Sequence, residues 1–150
     1  MILNDVLAKQ NVLTKLLLND GEKELSRELK VKIMRIRMAY SKVKKNFDSE
    51  IQEFVDQLNT DEIKILSMKQ DRTESEENRL LELNDKVNAD YQEFIAQKVL
   101  EKVSDLEDSF TIDEYYDIVD VNSGNNVEIN GTKIQAPDFL EIFYELFIKE

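Results

Sequence analysis

The chain contains no histidine, no cysteine and no tryptophan, and its 150 residues include only three glycines and one proline. The missing cysteine excludes a disulfide framework, a thiolate zinc site and a thiol nucleophile, and is compatible with a reducing cytoplasm. The missing histidine removes the side chain that most often carries general acid–base chemistry near neutral pH. Long apolar runs are also lacking. Between Met1 and Leu18 none is longer than Leu16–Leu18, so this segment reads as neither a signal peptide nor a membrane span. There is no phosphate-binding loop, no dinucleotide fingerprint and no nucleophile elbow.

The scarcity of breakers is informative in itself. Between Gly21 and Gly124 lie 102 consecutive residues without glycine or proline. Apolar side chains recur through them every three or four positions, the signature of long amphipathic helices. A first short helix is expected over 4–18, with Leu3, Val6, Leu7, Leu13, Leu16 and Leu17 on one face. A second should run from about Glu22 to Leu58. Its register of Leu25, Leu29, Ile33, Ile36, Tyr40, Val43, Phe47, Ile51, Phe54 and Leu58 comes close to a heptad seam. Asn59–Thr60–Asp61–Glu62, with a capping residue three before a Glu, starts a brief helix to about Lys69. Thr73 with Glu76 forms a capping box for a third long helix, expected to reach Asp108. Its seam reads Leu80, Leu83, Val87, Tyr91, Phe94, Val99, Val103 and Leu106. The two long helices are expected to form an antiparallel hairpin, with Ile36, Tyr40, Val43, Phe47 and Ile51 facing Leu83, Val87, Tyr91, Phe94 and Val103.

After Asp108 the pattern changes. Tyr115, Tyr116, Ile118, Val119 and Val121 read as strand formers, and Asn122–Ser123–Gly124–Asn125–Asn126 as a turn. Val127–Glu128–Ile129 and Thr132–Lys133–Ile134 flank Asn130–Gly131, the strongest two-residue hairpin signal. Pro137 sits near the first turn of a last helix, Phe139 to Ile148. The fold class expected is mainly α: a long antiparallel helical hairpin, a short N-terminal helix, and a small C-terminal β-hairpin or three-stranded meander packed by that last helix. One domain, 1–150, is expected, with 1–108 as its hairpin part and 109–150 as its β-plus-helix part.

Charge is distributed unevenly. The net charge is −12, yet residues 1–45 carry eleven Lys/Arg against five Asp/Glu. The basic stripe Lys30, Lys32, Arg35, Arg37, Lys42, Lys44 and Lys45 is expected to meet acids of the same molecule after residue 88. Direct nucleic-acid binding is not expected, because the rest of the protein repels phosphate. The hairpin tip, 46–85, holds twelve acids and four bases. It reads as a solvated end that aids solubility or as a surface for a basic partner, with Glu74, Glu76 and Glu77 as candidate contacts. Asp113, Glu114, Asp117 and Asp120 could hold a metal ion in principle, but such clusters arise by chance in an acidic chain. Asp120–Gly124 lacks the later ligands of a calcium loop. The reading is therefore no cofactor, no metal and no catalytic residue. The last helix is apolar on nearly every side, so Phe139 and Phe143 are expected beneath the β-hairpin, with Tyr144, Phe147 and Ile148 toward a groove or a second chain.

Several segments carry a resemblance: Gln10–Asn11–Val12–Leu13–Thr14–Lys15–Leu16, then Leu29–Lys30–Val31–Lys32–Ile33 leading into a long helix, a second charged helix, and Val127–Glu128–Ile129 with Lys133–Ile134 ahead of Asp138–Phe139–Leu140. In these the chain resembles small acidic, mostly helical proteins of unknown function encoded by tailed bacteriophages. It departs from them in lacking a proline before the second helix and in extending the region 97–125. The resemblance implies a phage context, in host cytoplasm or virion, and supplies no catalytic residues. The expected function is non-enzymatic: contact with a protein partner or a homo-oligomer, as virion component, assembly factor or host-directed modulator. The alternatives are an acidic DNA mimic that inhibits a nucleic-acid-binding enzyme of the host or its defences, and a metal-dependent enzyme using the 113–120 acids.

Overall fold

The computed structural model describes residues 1–149. Helix α1 spans Leu3–Lys15, α2 Arg27–Leu58, α3 Asp61–Met68, α4 Glu74–Lys98 and α5 Ile112–Asn122; strands β1 (Val127–Ile129) and β2 (Thr132–Ile134) precede α6, Ala136–Phe147. The molecule is mainly helical, with one two-stranded antiparallel sheet near the C-terminus.

Two regions share α2. In the body, Leu29, Ile33, Ile36 and Tyr40 of α2 are buried together with Val6, Val12 and Leu13 of α1, Ile118 and Val121 of α5, and Phe139, Phe143 and Phe147 of α6. One core cluster thus joins residues from both sides of position 108. In the arm, the C-terminal half of α2 and the whole of α3 lie along α4. The arm is antiparallel: Glu50 pairs with Lys98, the rings of Phe54 and Phe94 stack at 4.1 Å, and Glu62 meets Arg79 at 2.7 Å.

The hairpin therefore exists, but in a different register from the expected one. Ile36 and Tyr40 do not face α4; α1 covers them, and α4 reaches α2 only from about Glu50 onward. Helix α4 also ends ten residues early, and Val103 lies outside it. The reason is a competing use of the backbone. Ile2 has no side-chain oxygen with which to cap α1, so the free amides of α1 take carbonyls from the chain after α4. Leu3 N donates to Glu101 O at 2.8 Å and Asn4 N to Val99 O at 2.9 Å, while Val103 N returns a bond to Met1 O at 2.9 Å.

Other boundaries have equally local causes. Helix α1 stops at Lys15 because Leu17 is held extended by a buried side chain. Leu17 N donates to Asn122 Oδ1 at 2.8 Å, and Asn122 Nδ2 donates to Leu17 O at 3.1 Å, a strand-like pairing made by one amide. The Arg37 guanidinium donates to the Leu13 and Leu16 carbonyls at the frayed end. The expected start of α2 near Glu22 moves to Arg27, behind an N-cap at Ser26 whose hydroxyl accepts from Leu29 N at 3.2 Å.

The segment 115–121 is helix, not strand. Thr111 Oγ1 accepts from Glu114 N at 3.1 Å and Glu114 Oε1 accepts from Thr111 N at 2.8 Å, a complete capping box that starts α5. The apolar side chains read as strand formers become helix faces, with Ile118 and Val121 buried. The β-hairpin forms as expected. Asn130 and Gly131 both take positive φ, 51° and 79°, and the register pairs Val127 with Ile134 and Ile129 with Thr132.

Candidate interaction surface

The sites proposed from sequence separate into two groups. At the C-terminus, Phe147 is fully buried. Its ring meets Phe143 at 4.9 Å and Phe110 at 5.9 Å, with Lys9 Nζ 5.5 Å above it. The chain end is stitched down as well: Phe110 N donates to Phe147 O at 3.1 Å, and Phe110 and Ile148 form a parallel bridge. Phe147 is core rather than a partner-facing side chain, because its neighbours on α1 and around Phe110 already surround it. Tyr144 and Ile148 are half-buried, Tyr144 with its ring 5.1 Å from that of Tyr115. Phe143 packs on Phe110 and Tyr115. The surface of α6 that sequence alone left open is largely taken up by α5 and α1.

The same body holds a buried polar clamp that the sequence did not reveal. Asp108 is 3% exposed and Tyr40 fully buried. Asp108 accepts a hydrogen bond from the Tyr40 hydroxyl and a charged one from Lys9 Nζ at 2.7 Å. Burial, and then the adjacent Asp108 carboxylate, push the Tyr40 phenol well above its ordinary value. Each group lies on a different segment, so the clamp ties α1, α2 and the 99–110 strap together.

The basic stripe on α2 meets acids of its own chain only in part: of its seven residues Lys32 alone reaches an acid beyond residue 88, and among the described residues Arg35, Lys42 and Lys45 have no acidic partner. Lys32 pairs with Glu114 at 2.8 Å, Lys44 with Asp48 at 2.8 Å and Lys30 with Glu24, while Lys23, which precedes α2, pairs with Asp120 at 2.8 Å. Burial alone would raise the Glu114 carboxyl; the Lys32 ammonium and the Thr111 cap outweigh it and hold the group below its ordinary value. Of the acids at 113–120, two are thus already engaged. Among the described residues no three His, Cys, Asp or Glu side chains are grouped so that they could hold a metal ion.

The arm is built differently. No residue of α4 is fully buried, and in α3 only Leu66 is. Ile51, Phe54, Leu58, Leu80, Leu83, Val87 and Tyr91 form a two-helix seam that remains half open to water. Around it, Ile65 is 67% exposed, Met68 83% and Leu81 59%. A shallow, mainly apolar cleft of about 520 Å³ opens between α3 and α4, lined by Glu62, Ile65, Leu66, Ser75, Glu76 and Arg79.

The three glutamates proposed as contacts begin α4, but not on equal terms. Glu76 completes the capping box with Thr73 and pairs with Lys69 at 2.6 Å. That lysine, followed by the Thr73 amide, holds its carboxyl below the ordinary value. Glu77 takes Arg72 at 2.8 Å, and Arg72 also donates to the Leu66 and Lys69 carbonyls that end α3. Glu76 and Glu77 therefore build the α3–α4 turn. Among the described residues Glu74 and Asp85 have no ion-pair partner, and both are exposed. They are among the acids of the tip that a partner could use without dismantling the turn.

No protein-family model matches this sequence, and no curated protein or solved structure matches it. Among the described residues no helix is long and apolar enough to cross a membrane.

Proposed function

We propose that this is a non-enzymatic phage protein that acts by binding another protein through its helical arm, as a virion component, assembly factor or host-directed modulator. The single observation that carries this reading is the unfinished seam of the arm. A run of apolar side chains lies half-exposed along two antiparallel helices, beside the cleft at Ile65 and amid acids that outnumber bases three to one over 46–85. A third helix laid along that seam would complete a three-helix layer, and the surrounding acids favour a partner with a basic rim. The phage context rests on the resemblance in segments such as 10–16 and 29–33. The absence of His and Cys, together with the engagement of Glu114 and Asp120 in ion pairs, supports a binding role over catalysis.

The test is affinity capture from phage-infected cells with the whole chain as bait, beside a variant carrying Ile65→Ser and Leu81→Ser. Both positions are exposed, so the variant should fold. A partner held by the wild-type arm and lost by the variant supports the reading; identical capture by both removes the arm from it.

A second reading has its own observation. Glu53, Asp56, Glu74 and Asp85 are exposed along the arm, and among the described residues none has an ion-pair partner, leaving an unneutralised acidic face. Such a face suits a DNA mimic directed at a nucleic-acid-binding enzyme. Binding to a basic nuclease that weakens steeply with salt would favour it, whereas a salt-tolerant apolar contact favours the first reading.

A further inference from the structure

The face of α2 opposite the core changes sign along its length. Between Leu29 and Phe47 the helix carries no acid at all. Half a turn away from the buried Leu29, Ile33, Ile36 and Tyr40, it exposes Val31 at 54%, Met34 at 51% and Met38 at 72%. Arg35, Lys42 and Lys45 flank these three apolar residues and are exposed, and among the described residues none of them has an acidic partner. Beyond Phe47 the same face continues, still opposite the seam, as Ser49, Gln52, Glu53 and Asp56, all exposed. One uninterrupted helix of 32 residues thus presents an apolar and basic half followed by a polar and acidic half.

We infer that α2 is the interface for a second copy of this chain, bound antiparallel through this outer face. A helix whose exposed face is basic at one end and acidic at the other is complementary to itself when reversed, and a twofold axis then satisfies both ends at once. The charges select the register. Lys42 and Glu53 are three turns apart and project from the same flank of the helix, so placing Lys42 opposite Glu53 of the second copy also places Glu53 opposite its Lys42. That alignment sets Met38 over the exposed Asp56–Gln57 turn of the other copy, and avoids bringing the lysines at 42 and 45 of the two copies together. Exposed methionines suit such a contact because their unbranched side chains adapt to the facing surface. The interface does not rest on the arm finding a foreign partner: the pair that sets its register, Lys42 and Glu53, lies on α2.

The test is sedimentation velocity on the whole chain and on Lys42→Glu, Glu53→Lys and the double exchange. The wild type is expected to dimerise in a concentration-dependent way. Each single reversal should raise the dissociation constant about tenfold, since symmetry breaks the pair twice, and the double exchange should restore it. The two single changes move the net charge in opposite directions, so a bulk-charge effect would push them opposite ways, while pairing predicts that both weaken association. Met38→Asp should also yield monomer with unchanged helicity. A wild type that stays monomeric at high concentration overturns the inference, as does a double exchange no better than the singles. So does a monomeric chain whose α2 stripe instead retains a labelled oligonucleotide. Loss of partner capture in the Ile65→Ser, Leu81→Ser variant leaves these outcomes untouched, which separates failure of this interface from failure of the arm.

Discussion

The body and the arm are made from the same kind of helix, yet they are finished to different degrees. In the body, α2 packs on α1 and shares one core cluster with α5 and α6, and Ile33, Tyr40, Phe139, Phe143 and Phe147 are sealed from water. In the arm the same helix meets only one further layer, and its equivalents, Ile51, Phe54 and Leu58, stay half-exposed. Heptad spacing alone does not distinguish these cases. A helix face is buried by how many elements reach it, and the arm has one too few. A two-helix layer is marginal on its own because most helical stability comes from tertiary burial. The arm is therefore the part of the molecule with the most to gain from a partner.

Truncating equivalent aromatics tests this contrast with the largest expected effect. Phe143→Ala leaves a cavity in a filled core and should cost about 3–5 kcal/mol in denaturant unfolding. Phe94→Ala removes a half-exposed ring stacked on Phe54 and should cost only about 1 kcal/mol. Equal costs would mean that the arm is as consolidated as the body.

The buried clamp should come next. Asp108→Ala leaves the Lys9 ammonium and the Tyr40 hydroxyl without their shared acceptor, an expected loss of about 3 kcal/mol. Tyr40 also makes the body sensitive to alkali. Its folded value is raised, so its contribution is complete below the ordinary tyrosine value of 10.0 and declines as pH rises beyond it. Spectrophotometric titration of the tyrosines should show one that ionises only as the protein unfolds, and Tyr40→Phe should abolish that step.

At the acid end the effect is smaller and opposite in sign. The Glu114 carboxyl is held below its ordinary value of 4.5, so its pairing with Lys32 contributes above that pH and is lost as pH falls through the folded value. Glu114→Gln should flatten the decline in thermal midpoint below about pH 4.5. The change should be confined to the body.

The smallest effect should appear at the tip. Glu74→Lys and Asp85→Lys should leave the circular-dichroism melt nearly unchanged, whereas Glu76→Lys, which breaks the capping box, should cost about 1 kcal/mol. The difference separates acids free for a partner from acids that build the turn.

The sequence made the helices, the arm's capping box and the Asn130–Gly131 turn legible because each is a local device. What it concealed was non-local. Whether Ile36 and Tyr40 faced α1 or α4 depended on where α4 ended. That end is set by α1 borrowing the Val99 and Glu101 carbonyls, which no periodicity signals. Phe147 looked surplus on a helix apolar all round until Phe110 and Lys9 closed over it. The helix over 115–121 has a local signal of its own, Thr111 and Glu114 at capping-box spacing, set against the β-propensity of Tyr115, Ile118 and Val119. Of the candidate contacts, Glu74 remains exposed and unpaired, while Glu76 and Glu77 proved to be structural as well as acidic.

Hydrogen exchange followed residue by residue on the free chain tests the central contrast most directly. The backbone amides of α2 from Ile33 to Phe47 and those of α6 should exchange only through global unfolding. Those of α3 and of α4 from Leu80 to Phe94 should exchange through local opening, faster by about a hundredfold or more. Protection that is uniform along α2, α4 and α6 would contradict the account, because the arm would then be a finished part of the core with no seam left for a partner.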